Sequence, residues 1–213
     1  MNNFRAALYT SLLIVLMSAA AHAQATRTYV SGTGDDINPC SRVQPCRTFA
    51  GAISKTALGG EIDCLDSGGF GTVVITKSIT IDGTGVLAGI LTSPGAATGI
   101  TINVTANNDA AKSVRLRGLS FNGLGTGTTG INVVSAASVS VEDCVIDGFV
   151  TGINADRGDV FVRNTTIRNN LDVGIRAAGK VGLVDVSLVF NGRAIKGAGI
   201  QSLGNVYMFG NRS

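Results

Sequence analysis

A repeat of 21 or 22 residues in the second half of the chain constrains the fold more than any other feature. The dipeptide Gly-Ile recurs at Gly99-Ile100, Gly130-Ile131, Gly152-Ile153, Gly174-Ile175 and Gly199-Ile200, with 22-residue steps from Gly130 to Gly152 and from Gly152 to Gly174. Short alternating runs recur at the same spacing, as in 141–146, 162–167 and 183–188. A constant period built from short β-runs and Gly or Asn turns is typical of a solenoid in which each repeat forms one coil.

Aligning the repeats places apolar residues in columns, because equivalent positions of successive coils stack directly above one another. The predicted interior columns are Leu116, Val141, Val162 and Leu183; Phe121, Ile146, Ile167 and Leu188; Ile131, Ile153, Ile175 and Ile200; and Leu119, Cys144, Thr165 and Val186. The fourth column makes Cys144 a small core residue rather than a nucleophile. Three strand-and-turn faces per coil predict an all-β fold, a parallel β-helix.

The N-terminal residues 1–23 have the pattern of a secretory signal peptide. Arg5 is followed by the apolar run 12–17 and by Ala21-His22-Ala23, an A-x-A cleavage site. We therefore expect cleavage after Ala23 and a secreted or periplasmic protein. No later apolar run is long enough to span a bilayer. His22 is the only histidine, so the mature chain would contain none.

The rest of the chain divides into two predicted parts. Residues 24–45 are rich in Gly, Asp, Asn and Pro, which predicts an irregular segment. Residues 46–213 form the predicted β-helix domain, which opens with a short helix over 47–58, N-capped by Thr48, that covers the first coil. Val206–Met208 aligns with Val181–Leu183, so we expect the last coil to be incomplete. We expect it either to self-associate through its strand edge or to be completed by a natural chain that continues past Ser213.

Four cysteines in an exported protein indicate disulfide bonding. Cys40 and Cys46 flank a short Pro-containing loop, which predicts a bridge between them. Cys64 and Cys144 are almost four coils apart, roughly 17 Å at the usual strand spacing, whereas a disulfide needs Cα atoms within roughly 7 Å. We expect these two thiols to be free and buried. The cysteine spacing matches no standard zinc site.

The formal net charge of +3 is too small to predict a nucleic-acid partner, because nucleic-acid phosphates require a concentrated basic face. It excludes no other common class of ligand. Asp143, Asn164 and Asp185 occupy equivalent turn positions, where Asx residues satisfy the neighbouring backbone. Asp147 is expected to stack against Arg168 of the next coil as a surface ion pair. The sequence identifies no catalytic residue and no metal ligand. Four residues are candidates for a ligand-binding groove: Asp147, Asp156, Arg168 and Arg176.

The first coils resemble the opening of the pectin-lyase-like superfamily. The similarity lies in the stretches 46–63 (CRTFAGAISKTALGGEID), 69–71 (GFG) and 75–83 (ITKSITIDG), and it is closest to secreted bacterial members without an assigned activity. It implies a right-handed parallel β-helix with an N-terminal capping helix. The catalytic motifs do not transfer, since a Gly-His-Gly element is impossible in a histidine-free mature chain. The nearest analogue of a lyase site, which pairs calcium-binding acids with an Arg base, is Asp143, Asp147, Asp156 and Asp159 with Arg163 and Arg168.

Two functions follow as hypotheses. The first is an exported surface or binding module, without catalysis or cofactor, that recognises a polysaccharide or cell-envelope glycan. The second is a calcium-dependent polysaccharide lyase or a related carbohydrate-active enzyme. The scarcity of sugar-stacking aromatic residues favours the first, since the chain has no Trp.

Overall fold

The fold is a right-handed parallel β-helix of about 7 turns, seen in a computed structural model that describes residues 24–92 and 98–212. Every strand pairing in this part of the chain is parallel and joins one coil to the next. No helix in these residues is long and apolar enough to cross a membrane. The predicted signal peptide lies outside the described residues. The all-β parallel solenoid expected from the repeat is confirmed, as is the right-handed form that the resemblance implied.

One short helix and seventeen strands make up the described chain. The helix is α1 (Phe49–Ile53). The strands are β1 (Ala25–Val30), β2 (Thr56–Cys64), β3 (Gly68–Gly69), β4 (Val73–Ile75), β5 (Ile79–Asp82), β6 (Ala88–Leu91), β7 (Thr98–Asn103), β8 (Ser113–Arg117), β9 (Leu119–Ser135), β10 (Ser138–Glu142), β11 (Val145–Ala155), β12 (Asp159–Arg163), β13 (Thr166–Arg168), β14 (Val173–Val184), β15 (Val186–Val189), β16 (Arg193–Ser202) and β17 (Val206–Phe209).

These strands form three faces of the solenoid. The first face runs through β1, β2, β5, β8, β10, β12 and the second halves of β14 and β16. The second face runs through β3, β6, the start of β9 and of β11, β13, β15 and β17. The third runs through β4, β7, the later parts of β9 and β11, and the first halves of β14 and β16. Strands β6 and β7 extend the second and third faces through the coil that precedes β8.

The predicted interior columns fill the core. Val141 pairs with Leu116 and Val162, and Ile146 pairs with Phe121 and Ile167, all of them fully buried. The third column is wrong at its last member. Ile175 pairs with Ile195 rather than with Ile200, because the next coil presents Ala194-Ile195 where Gly174-Ile175 stood. Ile200 pairs instead with Val181 on the first face.

The alignment of the last coil is also corrected. Val206–Phe209 pairs with Val186–Val189 on the second face, whereas the sequence comparison aligned it with Val181–Leu183. The observed step from Val186 to Val206 is 20 residues, close to the period, whereas the alignment with Val181 required a step of 25. The described part of this coil contains strands of the first and second faces, in β16 and β17.

The expectation that residues 24–45 are irregular is wrong for 25–30. Strand β1 pairs in parallel with β2, with Thr28 beside Ile62 and Val30 beside Cys64. Thr28 and Val30 are fully buried, so this short segment has the period-two burial of the later coils. Turns and bends, with an isolated bridge at Cys46, occupy most of the chain from there to the helix. The Gly and Asp residues of that loop masked the strand that precedes it.

Helix α1 begins as predicted but ends early. The Thr48 Oγ1 accepts the Gly51 N–H at 3.0 Å, and Phe49 and Ala52 are buried. The predicted helix extended to residue 58, whereas Thr56 already belongs to β2. The fully buried Thr56 hydroxyl shares a 2.7 Å hydrogen bond with Thr28 of β1. Pairing between β1 and β2 therefore outweighs the helical pattern of 54–58. That α1 caps the solenoid stays a prediction.

The predicted bridge and the two predicted free thiols are present, although strand pairing separates Cys64 from Cys144 by about three coil steps rather than almost four. Cys40 and Cys46 form a disulfide, and Cys64 and Cys144 are free. Cys144 is fully buried, whereas Cys64 is only partly buried. Burial raises the pKa of both free thiols to about 12, so neither is a reactive nucleophile at neutral pH.

Two polar columns complete the turns. Asp143, Asn164 and Asp185 all adopt the left-handed conformation, with φ of 55°, 44° and 54°, and Asn164 donates to Asp143 at 2.7 Å. This confirms their predicted structural role. A second column is buried: the Asn170 side chain donates to Asn191 at 2.8 Å, and Asn191 donates to Asn211 at 3.0 Å. Each asparagine side chain thus forms hydrogen bonds both with a backbone group and with the asparagine of a neighbouring coil.

Replacing Ile167 by Asp should cost about 3–5 kcal/mol of unfolding free energy, because an unpaired carboxylate would lie in the interior column. Thr166→Asp is the matched control, since Thr166 is a partly exposed neighbour in the same strand. Denaturant unfolding followed by circular dichroism measures both variants. Equal midpoints for the two variants would show that the inward face has been assigned wrongly.

Self-association through the last coil stays a prediction. Leu203, Tyr207, Met208 and Phe209 are all more than half exposed there, and Phe209 packs edge-on against the exposed Phe190. We expect light scattering to detect oligomers at high concentration, and Met208→Lys with Phe209→Lys to abolish them. A protein that stays monomeric throughout would contradict the prediction.

Candidate functional site

The outward side chains of the first face form a continuous line of charge. In each strand these residues alternate with the buried column, so they stack from coil to coil. Asp63 stacks on Asp82, Asp82 on Arg117, Arg117 on Glu142, and Glu142 on Arg163. We call the set the charged ribbon: Arg27, Glu61, Asp63, Asp82, Arg115, Arg117, Glu142 and Arg163. It spans five coil steps, roughly 24 Å.

Three carboxylates meet at the N-terminal end of the charged ribbon. Arg27 contacts Glu61 at 2.7 Å and Asp63 at 3.5 Å. Burial raises the pKa of Asp63 to about 6, helped by a hydrogen bond and charge repulsion from Glu61 and by the charge of Asp82. Arg27 opposes this rise without cancelling it. Asp63 is therefore partly protonated just below neutral pH.

Arginines surround a buried glutamate in the middle of the charged ribbon. The Glu142 side chain is 9% exposed and lies 2.6 Å from Arg163, 3.5 Å from Arg115 and 3.9 Å from Arg117. Burial alone would raise the pKa of Glu142, but hydrogen bonds from Ser140 and Arg163 outweigh it and hold the pKa below its usual value. This carboxylate stays ionised and fixes the three guanidinium groups around it.

Arg117 joins the two ends of the charged ribbon. Its Nη1 lies 2.9 Å from Asp82, whereas its Nε lies 3.9 Å from Glu142, too far for a hydrogen bond. That Nε is buried and has no hydrogen-bond partner. The side chain as a whole is 34% exposed, so its outer nitrogens remain accessible to a ligand.

The four residues predicted from the sequence do not form one cluster. Asp147 and Arg168 make the predicted ion pair, at 2.9 Å on the second face. Arg176, on the third face, contacts Asp172 at 2.6 Å. Asp156 follows β11 and accepts a hydrogen bond from Asn154 at 3.1 Å. Their role in ligand binding stays a prediction.

The sequence reading missed the charged ribbon, although a signal for part of it was present. Arg117, Glu142 and Arg163 each follow directly after a member of the first predicted column, in the repeats that the alignment covered. An outward column of charge could have been read from those neighbours. Asp63 and Asp82 could not, because 35 residues separate Asp82 from its stacking partner Arg117 and this departs from the period.

The charged ribbon offers both donors and acceptors for a polar ligand. Guanidinium groups bind carboxylates, and carboxylates accept hydrogen bonds from hydroxyl groups. A carboxyl group whose pKa lies near 6 also suits proton transfer. Among residues 24–92 and 98–212, no group of three or more acidic, His or Cys side chains has a geometry suited to a metal ion.

Comparison with known proteins assigns the fold and leaves the function open. No family model matches the chain, and no curated protein matches its sequence. Among solved structures it is similar to pectate lyase Pel9A, with a TM-score of 0.52 and 17% identity over 85% of this chain. The match covers 61% of that enzyme's length. A rhamnogalacturonan lyase matches at 12% identity, covering 86% of this chain and 62% of the enzyme, with a TM-score of 0.29. The chain has a pectin-lyase-like β-helix fold.

The raised pKa of Asp63 predicts a distinctive pH dependence of stability. The folded protein holds this proton more tightly than the unfolded chain, whose carboxyl titrates near pH 3.9. The stabilising contribution is therefore complete at low pH and is lost as the pH rises through about 6. The unfolding free energy of the wild type, relative to Asp63→Asn, should fall between pH 4 and pH 7, as measured by urea unfolding.

Asp172 is a control of opposite sign. A hydrogen bond from Arg193 lowers the pKa of Asp172, so its contribution is present at neutral pH and is lost on acidification. The wild type relative to Asp172→Asn should therefore gain stability as the pH rises. The same slope in both comparisons would contradict the assignment of a raised pKa to Asp63.

Proposed function

We propose that this protein is an exported β-helix module that binds a polysaccharide, such as a cell-envelope glycan, along the charged ribbon without catalysing a reaction. The observation that carries the proposal is the continuity of the charged ribbon over five coil steps. An extended line of paired charges suits an extended polar ligand, since each coil adds a charged position about 4.8 Å from the last. The likeness of the fold to that of a pectate lyase supports a glycan as the ligand.

The ion pairs within the charged ribbon also support binding. Glu142 and Asp82 hold their arginines in place, so little side-chain freedom is lost when a ligand binds. Export is supported by the signal-peptide pattern of residues 1–23 and by the Cys40–Cys46 disulfide, since disulfides persist in oxidising compartments. The net charge supports no nucleic-acid partner.

A second candidate is a polysaccharide lyase or related carbohydrate-active enzyme, favoured by one observation. Asp63 combines a pKa of about 6 with a neighbouring carboxylate and an arginine, which suits general acid–base catalysis. Calcium does not fit the residues present. Arg27 contacts Glu61 and Asp63, and Arg117 contacts Asp82, so each carboxylate already has a guanidinium partner.

Arg115→Ala should test the binding function with little risk to folding, because the Arg115 side chain is 56% exposed. Loss of one charge-assisted contact weakens binding about tenfold. Arg157→Ala is the matched control, since Arg157 is an exposed arginine between the first and third faces, outside the charged ribbon. Titration calorimetry against polygalacturonate, alginate, hyaluronate and neutral starch measures the affinities.

The same mixtures, followed by ultraviolet absorbance for unsaturated uronate products, decide between the two candidates. Binding without product, weakened in Arg115→Ala and unchanged in Arg157→Ala, supports the module. Product formation that Asp63→Asn abolishes would establish the enzyme instead. Equal affinity of wild type and Arg115→Ala for every polymer would refute a role for the charged ribbon.

A further inference from the structure

A concave site lies at the N-terminal end of the solenoid, beside the charged ribbon. This N-terminal cavity has a volume of about 760 Å³, within the usual range for small-molecule sites. Strand β1 forms one wall through Arg27 and Tyr29, and the loop after it forms another through Ile37, Pro39 and Arg42. Lys55 closes the third side.

The lining of the N-terminal cavity carries three cations and no carboxylate. Two of the cations already have partners, since Arg27 pairs with Glu61 and Lys55 donates to the carbonyl oxygen of Asn38 at 2.5 Å. Arg42 differs. Among the described residues it forms no ion pair, and its guanidinium lies over the Tyr29 ring, 5.8 Å from the centroid. An accessible guanidinium in such a wall attracts an anion.

The walls of the cavity are held in place before any ligand binds. The Cys40–Cys46 disulfide closes the loop, and the backbone of Tyr29 bonds to both cysteines, at 2.8 Å and 2.9 Å. The loop thereby covers the outer edge of β1. A preformed wall lowers the conformational cost of binding.

An apolar surface faces the same cavity. Ile37, which is 87% exposed, lines this cavity together with Pro39 and the Tyr29 ring. Apolar side chains next to one free cation suit a ligand that has an anionic group on a compact apolar body.

We propose that the N-terminal cavity binds a small carboxylate carried on a six-membered ring, with the carboxylate on Arg42 and a face of the ring against Tyr29 and Ile37. This site shares only Arg27 with the charged ribbon and takes a single ligand unit rather than a polymer. Two kinds of ligand share the required chemistry, an acidic monosaccharide and a cyclic apolar carboxylic acid.

Titration of the purified protein with small ligands tests the proposal. Glucuronate and cyclohexanecarboxylate represent the two kinds of carboxylate, and glucose and cyclohexylmethanol are their neutral counterparts. Chemical-shift changes in NMR spectra give the affinity and the location. We expect at least one acid to bind at the cavity, and its neutral counterpart to bind at least tenfold more weakly.

The variants distinguish the cavity from general charge effects. Arg42→Ala should weaken acid binding at least tenfold and Tyr29→Leu should weaken it, whereas Arg157→Ala, which removes the same charge elsewhere, should leave it unchanged. Arg115→Ala should also leave it unchanged, so failure of the polysaccharide proposal does not affect this test. Equal losses in Arg42→Ala and Arg157→Ala, or no binding of either acid by a folded wild type, would overturn the proposal.

Discussion

Parallel pairing between successive coils is the interaction on which the rest of the structure depends. It places each residue directly above its equivalent, at a spacing of about 4.8 Å, so every position becomes a column. Inside the solenoid the result is favourable, because Ile146, Ile167 and Leu188 stack with no exposed surface. A polar residue in such a column would meet apolar neighbours on both sides. The interior therefore tolerates few substitutions.

The same geometry makes the corners chemically uniform. A turn that needs a left-handed residue in one coil needs one in the next, and Asp143, Asn164 and Asp185 meet that need at low cost. The buried Asn170 and Asn191 show the stricter case, in which each side chain must satisfy a backbone group and its neighbour's amide. Because the coils stack, the side chains that satisfy the backbone at equivalent turns form a column along the solenoid.

On the outside, stacking decides which charges become neighbours. It sets Asp63 directly beside Asp82, and this repulsion contributes to the raised pKa of Asp63. It also gathers three arginines around Glu142, where attraction holds them. Arg42 in the N-terminal cavity is not paired in this way, because its loop lies outside the stacked strands. Charges within the columns are largely neutralised, whereas Arg42 is left available.

The sequence by itself determined the solenoid, most of its interior columns and the turn column at Asp143. These follow from a constant period, which predicts vertical neighbours wherever it holds. The tertiary structure alone decided the places where the period fails. Strand pairing places Thr56 in β2 rather than in the helix. Ile195 occupies the position that was expected for Ile200. A coil of 35 residues places Arg117 beside Asp82. The charged ribbon depends on that last contact. The sequence did not predict it, because a repeat does not reveal a coil of irregular length.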